Sequence, residues 1–176
     1  GQSITITGPN GVGKTLLLNT IVGFKSIFKG KISINKIDLS NDPSNRQEHI
    51  GYYGHKASIH TGLTVMETIE YWKAYYSSDA NTSELIKFWD LPNKTVESCS
   101  EGQRKRLALV RLSLMNRNIW ILDEPTTNLD FVGKKKFLEL HTSHLRAGGL
   151  SIITSHEPAQ VKGHKIINLE RHSGNN

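Results

Sequence analysis

The fold of this chain is decided by one stretch near its start, Ile4-Thr5-Ile6-Thr7-Gly8-Pro9-Asn10-Gly11-Val12-Gly13-Lys14-Thr15. β-Branched residues alternate up to the first glycine, as in a strand, and the apolar residues 16–22 that follow have helical spacing. A strand, a G-x-x-x-x-G-K-T loop and a helix in this order identify a P-loop. Because glycines let successive N–H groups converge and a helix N-terminus adds partial positive charge, the loop is predicted to bind phosphate.

Each residue of this loop is a candidate nucleotide-binding residue. Lys14 is predicted to reach the β- and γ-phosphates as a mobile charge and to act in catalysis. The Thr15 hydroxyl is an oxygen ligand of the kind that suits Mg²⁺. The predicted cofactors are therefore ATP and Mg²⁺, and the predicted phosphate-binding residues are Gly8, Pro9, Asn10, Gly11, Val12, Gly13, Lys14 and Thr15.

Length and composition set the class of protein. The 176 residues and 19.7 kDa fit one domain with room for a small inserted lobe. Cys99 is the one cysteine, so an intrachain disulfide is impossible and a reducing compartment is favoured. No apolar run approaches the roughly 18 to 20 residues that span a bilayer.

The net charge of +6 and the pI of about 9.4 raise the hypothesis of a nucleic-acid or anionic-membrane partner. The densest basic clusters, residues 104–106 and 134–136, fall inside predicted helices, where a solvated face is the usual explanation. The sequence also lacks the stripe of basic and aromatic residues that grips single strands. No nucleic acid is expected as a partner.

The first half of the chain gives several element predictions. Residues 30–35 alternate as an exposed strand, residues 41–48 form a polar surface loop that contains Pro43, and residues 50–53 form a short strand. Thr64 and Glu67 form a capping-box pattern that opens a helix through Tyr75 or Tyr76, and residues 83–89 form a second helix. These helices predict an inserted lobe, so we divide the single domain 1–176 into a core (1–55 and 117–176) and a helical subdomain (about 56–116).

The second half repeats the alternation of helix and strand. Ser100-Glu101-Gly102-Gln103 is a second capping box and opens a helix over residues 104–115. Ile119 to Glu124 is a buried strand, and a basic amphipathic helix is predicted over 132–146. A buried strand over 150–155 delivers His156, and a final strand covers 165–169. The fold class is therefore α/β, a P-loop NTPase with a mostly parallel sheet flanked by helices and an inserted small helical subdomain.

Two carboxylates end the strand at Asp123 and Glu124, where an open α/β sheet places its ligands. Phosphoryl transfer needs one carboxylate for Mg²⁺ and a second group that orients or deprotonates the attacking water. We assign Asp123 to the metal and Glu124 to the water, and we place His156 against the γ-phosphate. Each feature alone is more often structural, but here all occur in the order that the chemistry requires.

With these motifs, the chain resembles the nucleotide-binding domain of ABC transporters over nearly its whole length. The matching stretches are Walker A at 8–15, the signature at 99–103, Walker B at 119–124, the D-loop at 127–130 and the switch histidine His156. The resemblance implies that two copies meet head to tail and hold each ATP between one Walker A and the partner's signature helix. The residues that it adds to the nucleotide site are His55, Ser100, Gly102, Gln103 and Asp130.

Within that family, residues 54–64, 102–112 and 120–125 are similar to the ATPase subunits of heme exporters in cytochrome c maturation. This likeness implies an ATP hydrolase that drives heme export together with integral membrane permease subunits. It implies a peripheral location on the cytoplasmic face of the bacterial inner membrane, or on the matrix side of the mitochondrial inner membrane. The alternatives are an ABC ATPase for another substrate, a soluble ABC protein of ribosomes or DNA, and a non-hydrolysing ATP sensor, against which Glu124 argues.

The chain departs from the family pattern in three ways. His55 stands in place of the Q-loop glutamine, and we expect it to contact the metal through water or to act in coupling, because imidazole is a poor ligand for Mg²⁺. Glu101 replaces a small residue of the signature, and we expect it to turn outward with little effect on turnover. The family's early antiparallel strands, with the aromatic residue that stacks on adenine, are expected before residue 1.

Overall fold

The computed structural model describes residues 1–54, 59–155 and 164–170. Its helices and strands, in chain order, are β1 Gln2–Thr7, α1 Lys14–Val22, β2 Ser33–Ile34, β3 Ile37–Asp38, α2 Pro43–His49, β4 Ile50–Tyr53, α3 Val65–Tyr76, α4 Thr82–Trp89, α5 Glu101–Leu114, β5 Ile119–Asp123, α6 Phe131–Arg146, β6 Leu150–Thr154 and β7 His164–Asn168. A short 3-10 turn, Val96–Ser98, precedes α5.

Five of these strands form one parallel sheet in the order β4-β5-β6-β1-β7. Alternate residues of β5 face opposite sides: Ile121 packs in a cluster with Leu18 and Val22 of α1, whereas Trp120 and Leu122 pack in the larger cluster with α5 and α6. Helices therefore cover both faces, as the period of two in a strand requires. The predicted α/β class with a mostly parallel sheet is confirmed.

The helices between β4 and β5 bury their own apolar residues. The Thr64 side chain accepts a hydrogen bond from the Glu67 N–H and the Glu67 carboxylate accepts one from the Thr64 N–H, so the capping box predicted for α3 is confirmed. Ile69 of α3 and Trp89 of α4 are fully buried in the same cluster as Leu109 of α5. That cluster continues into the sheet, and the boundaries of the helical subdomain stay a prediction.

The prediction of a loop over residues 41–48 is wrong, because Pro43–His49 is the helix α2. Asp42 caps it by accepting a hydrogen bond from the Asn45 N–H at 3.0 Å, and Pro43 occupies the first helical turn, where its missing N–H costs nothing. Arg46 is buried and donates to the Thr20 carbonyl at 2.7 Å, near the C-terminus of α1. The Asp42-Pro43 pair is the local signal for this helix start.

Two strand predictions also need correction. Residues 30–35 do not form one strand; β2 pairs with β3 in a two-stranded hairpin. Asn35 and Lys36 at its tip have φ values of 52° and 68°, the left-handed pair typical of a tight hairpin turn. The last strand, His164–Asn168, is shifted by one residue toward the N-terminus from the predicted range 165–169. Across the described ranges, none of the helices is both long and apolar enough to cross a bilayer.

Candidate nucleotide-binding site

The loop between β1 and α1 depends on glycine at two points. Gly8 has φ 146°, and a Cβ there would lie 2.5 Å from the Leu169 carbonyl oxygen. Gly13, at the N-cap of α1, has φ 103° in the left-handed region that favours glycine. In the described residues 1–54, which include this loop, no side chain caps α1 and no acidic residue lies in its first turn. The first N–H groups of α1 are therefore left for an anion to accept their hydrogen bonds.

Lys14 places a positive charge over the same loop. Its side chain is buried, and its ammonium group donates to the carbonyl oxygens of Gly8 at 2.8 Å and Pro9 at 3.3 Å. Both contacts are to loop backbone, so the ammonium group lies beside the N–H groups that would bind phosphate. A terminal phosphate oxygen offers a stronger, charge-assisted partner than either carbonyl.

Asp123 lies at the end of β5 with 2% exposure, and two threonine hydroxyls donate to it. Thr15 donates to Oδ2 at 2.8 Å and Thr154 donates to Oδ1 at 2.6 Å. The parallel register sets Asp123 directly opposite Thr154. The structure thus brings the predicted pair Thr15 and Asp123 together and adds Thr154, which the sequence prediction missed. The available signal was a threonine at the end of a buried strand.

A hydroxyl and a carboxylate oxygen at this separation fit a magnesium ion. Mg²⁺ usually takes one or two protein oxygens and completes its coordination with water and substrate phosphate. Among the residues described, no group of three or more histidine, cysteine, aspartate or glutamate side chains could hold a metal by itself. The Thr15 hydroxyl and the Asp123 carboxylate suit a metal whose other ligands are water and phosphate.

Glu124 follows β5 in an unusual backbone conformation. Its φ is 49°, which is rare for a residue other than glycine, asparagine or aspartate. The Glu124 N–H donates to both the carbonyl oxygen of Thr154 at 3.2 Å and its hydroxyl at 2.9 Å. Thr127 donates its hydroxyl to Glu124 Oε2 at 3.2 Å. Thr127 is a second residue that the sequence prediction left without a role.

The predicted signature residues open α5. Ser100 is exposed and accepts a hydrogen bond from the Gln103 N–H at 3.2 Å, while Gln103 Oε1 accepts one from the Ser100 N–H at 2.9 Å. The capping box predicted here is confirmed. A Cβ on Gly102 would meet no described atom within 4 Å, so the surface over this turn is open.

Asp130 caps α6. It accepts a hydrogen bond from the Gly133 N–H at 2.7 Å, and its other oxygen lies 3.8 Å from the guanidinium group of Arg106. Asp130 is thereby linked to α5, the helix that carries the signature. His55 and His156 lie outside the described residues, and their proposed roles stay predictions.

The charge of Asp123 also reaches β4. Partial burial raises the pKa of Tyr52, and the carboxylate charge of Asp123 raises it further. The Tyr52 hydroxyl donates to Asn19 Oδ1 at 3.0 Å and so joins β4 to α1. These contacts hold the helix of the P-loop against the strand that leads to His55.

A family model described as ABC transporter matches residues 1–127. The chain belongs to this family, and it is an ATP-binding, ATP-hydrolysing subunit of the ABC transporter class. The fold of this chain also resembles the structure of a putative ABC transporter ATP-binding protein from Pyrococcus furiosus. The TM-score is 0.80, and the two are 25% identical over 96% of this chain and 84% of that one.

The chain is also similar to proteins named cytochrome c biogenesis ATP-binding export protein CcmA. The protein of that name from Histophilus somni is 36% identical over 98% of this chain and 82% of its own length. The one from Escherichia coli K12 is 32% identical over 94% of this chain and 81% of its own length. The family resemblance predicted from the sequence is confirmed, including its closer likeness to the cytochrome c maturation group.

Proposed function

We propose that this chain is the ATPase subunit of an exporter in cytochrome c biogenesis, and that heme is the cargo whose handling it drives. The contact between Thr15 and Asp123 carries the ATPase part of this proposal, because it joins the P-loop to the strand-end carboxylate in the arrangement that phosphoryl transfer needs. The similarity to the CcmA proteins supports the place in cytochrome c biogenesis.

In the proposed reaction, the loop N–H groups at the start of α1 bind the phosphates, and Lys14 moves from the carbonyl oxygens of Gly8 and Pro9 to the β- and γ-phosphates. Thr15 and Asp123 would hold Mg²⁺, and Thr154 fixes the orientation of the carboxylate. Mg²⁺ supplies charge neutralisation of the phosphate oxygens when it is bound.

Glu124 is the proposed general base. It orients the attacking water and takes its proton as the water oxygen bonds to the γ-phosphorus. The bond between the γ-phosphorus and the bridging oxygen breaks, and ADP leaves with that electron pair. Thr127 holds Glu124 Oε2 for this step, and His156 is proposed to donate a hydrogen bond to the γ-phosphate.

The proposed working unit is a head-to-tail homodimer. Ser100 and the free N–H groups at the start of α5 face the partner's γ-phosphate, so ATP bridges two positive helix ends that would otherwise repel. Gly102, Gln103 and Asp130 complete that side of the pocket. The dimer is proposed to bind integral membrane permease subunits from the cytoplasmic face of the bacterial inner membrane, with the mitochondrial matrix side as the alternative.

The first test compares ATP hydrolysis by the full-length protein with that of its Glu124→Gln variant. We expect loss of at least about a hundredfold in kcat, because a general base commonly contributes 10²- to 10⁴-fold. Glu84→Gln, in the exposed first turn of α4, is the matched control and should keep the wild-type rate.

Equal rates for the wild type and Glu124→Gln would refute the assigned chemistry. Co-purification tests the biological setting: a small membrane subunit recovered with the full-length protein supports the exporter, whereas recovery of ribosomes or DNA would contradict it.

A further inference from the structure

One acidic and one basic side chain at the start of α5 contact the turn that follows Glu124. Glu101, the first residue of α5, accepts a hydrogen bond at Oε1 from the Asn128 amide at 3.1 Å. Lys105, one helical turn later, donates to the Thr127 carbonyl at 2.7 Å and lies 3.8 Å from Glu101 Oε1. The helix thus holds two consecutive residues of the turn, one through its side chain and one through its backbone.

The turn has positive φ angles at two residues. Asn128, at φ 58°, is of a residue type that adopts the left-handed region readily, whereas Glu124, at φ 49°, adopts it at a cost in energy. Its internal bonds are from the Thr127 N–H to the Glu124 carbonyl and from the Leu129 N–H to the Thr126 carbonyl, both 3.2 Å long. Such conformations persist only where the surroundings hold them, and the contacts from α5 are among those that do.

The same turn carries the group that holds the proposed base. Thr127 donates its hydroxyl to Glu124 Oε2 at 3.2 Å while its carbonyl accepts from Lys105. A displacement of Thr127 would therefore move the donor that orients the Glu124 carboxylate. Because Asn128 is the next residue along the chain, its contact with Glu101 acts on the same short segment.

We propose that Glu101 is a positioning residue for hydrolysis: together with Lys105 it holds the 124–129 turn, and through Thr127 it fixes the carboxylate of Glu124 toward the attacking water. This inference rests on the proposed function of Glu124. It gives Glu101 a role in turnover, whereas its place in the first helical turn alone predicts almost none. The Glu101 side chain is 64% exposed, so its contact with Lys105 is weak, and the charge-assisted bond to Asn128 is the stronger of the two.

The test is a double-mutant cycle on ATP hydrolysis by the full-length protein at saturating Mg²⁺ and ATP. Glu101→Ala should lower kcat about fivefold, less than the full value of a charge-assisted hydrogen bond because this one is exposed to solvent, and leave KM within about twofold. Asn128→Gly removes the amide while keeping a residue that tolerates positive φ, and should have a similar effect. Because both changes remove the same contact, the double variant should be no slower than the slower single variant.

Two further variants separate positioning from general structure. Glu101→Gln keeps an oxygen that can accept from Asn128, and should recover at least about half of the wild-type kcat. Glu84→Ala, an exposed glutamate in the first turn of α4, should leave kcat unchanged. The melting temperature of Glu101→Ala should fall by no more than a few degrees, since the side chain is exposed.

Three results would overturn the inference: a kcat for Glu101→Ala equal to or above that of the wild type, a change confined to KM, or effects of Glu101→Ala and Asn128→Gly that multiply. If these occur while Glu124→Gln still abolishes hydrolysis, the inference fails and the proposed function stands. If the wild-type protein does not hydrolyse ATP, both are rejected.

Discussion

At the scale of single residues, Asp123 shows how the site combines burial with access for a metal. Its two oxygens accept from the hydroxyls of Thr15 and Thr154, and each hydroxyl keeps lone pairs after donating. Thr15 is exposed and can present its oxygen to Mg²⁺, while Thr154 is fully buried and orients the carboxylate. The two threonines therefore bind different oxygens of one carboxylate and have different roles.

Replacement of Thr154 by valine tests the orienting role. Valine keeps the shape of the side chain but removes the hydroxyl, so Asp123 becomes a buried carboxylate with one hydrogen bond fewer and the Glu124 N–H loses one of its two acceptors. We expect a loss of about 1 to 3 kcal/mol in the free energy of unfolding and a raised KM for Mg²⁺-ATP.

Urea unfolding and steady-state kinetics of the full-length protein measure both effects. Thr20→Val is the matched control, because the Thr20 hydroxyl donates only to the Leu16 carbonyl one turn back in α1. A Thr154→Val protein with wild-type KM and stability would contradict the role given to this hydroxyl.

At the scale of elements, the capping-box motif occurs at the start of two helices that have different roles. Thr64 with Glu67 opens α3, and Ser100 with Gln103 opens α5, each with both reciprocal hydrogen bonds. In α3 the cap stabilises the start of the helix, and no further role is proposed for it. In α5 the capped turn is also the proposed contact for the partner's γ-phosphate, so the two helices form a natural pair for comparison.

Alanine at each N-cap separates stability from function. Ser100→Ala and Thr64→Ala should each lower the free energy of unfolding by about 1 kcal/mol, because both remove the same kind of cap. Only Ser100→Ala should also lower the ATPase rate of the full-length protein, since its hydroxyl is proposed to contact phosphate.

Thermal melts and hydrolysis rates, measured on the same preparations, give the comparison. Equal activity losses in the two variants would mean that Ser100 acts through helix stability alone, and the proposed phosphate contact would be withdrawn.

At the scale of the whole molecule, the proposed site is complete only when two copies meet. Aspartate at position 100 tests this, because aspartate is as good an N-cap as serine but would set a carboxylate against the partner's γ-phosphate. In a Glu124→Gln background, which should retain ATP because the proposed base is missing, Ser100→Asp should keep the melting temperature and abolish ATP-dependent dimerisation.

Light scattering of the full-length protein with and without Mg²⁺-ATP measures the change in mass. Asn81→Asp in the same background sets a carboxylate at the N-cap of α4 and should still dimerise. A Ser100→Asp protein that dimerises as readily as this control would argue against the head-to-tail arrangement.

The sequence by itself determined the features that depend on neighbouring residues. The P-loop, both capping boxes and the strand that ends at Asp123 are written in short stretches, since loop geometry and helix caps follow from residues three or four apart. The cap of α2 is equally local: Asp42 and Pro43 are a helix-start signal, although the polar composition of residues 41–48 predicts a loop.

Only the tertiary structure decided the contacts between distant segments. Thr15 and Asp123 are 108 residues apart, Thr154 and Asp123 are 31 apart, and Glu101 and Asn128 are 27 apart. Which of these side chains meet depends on the strand order β4-β5-β6-β1-β7 and on where α5 packs. The physical reason is that local patterns fix where strands and helices begin and end, whereas the packing of the whole sheet fixes which of their ends come together.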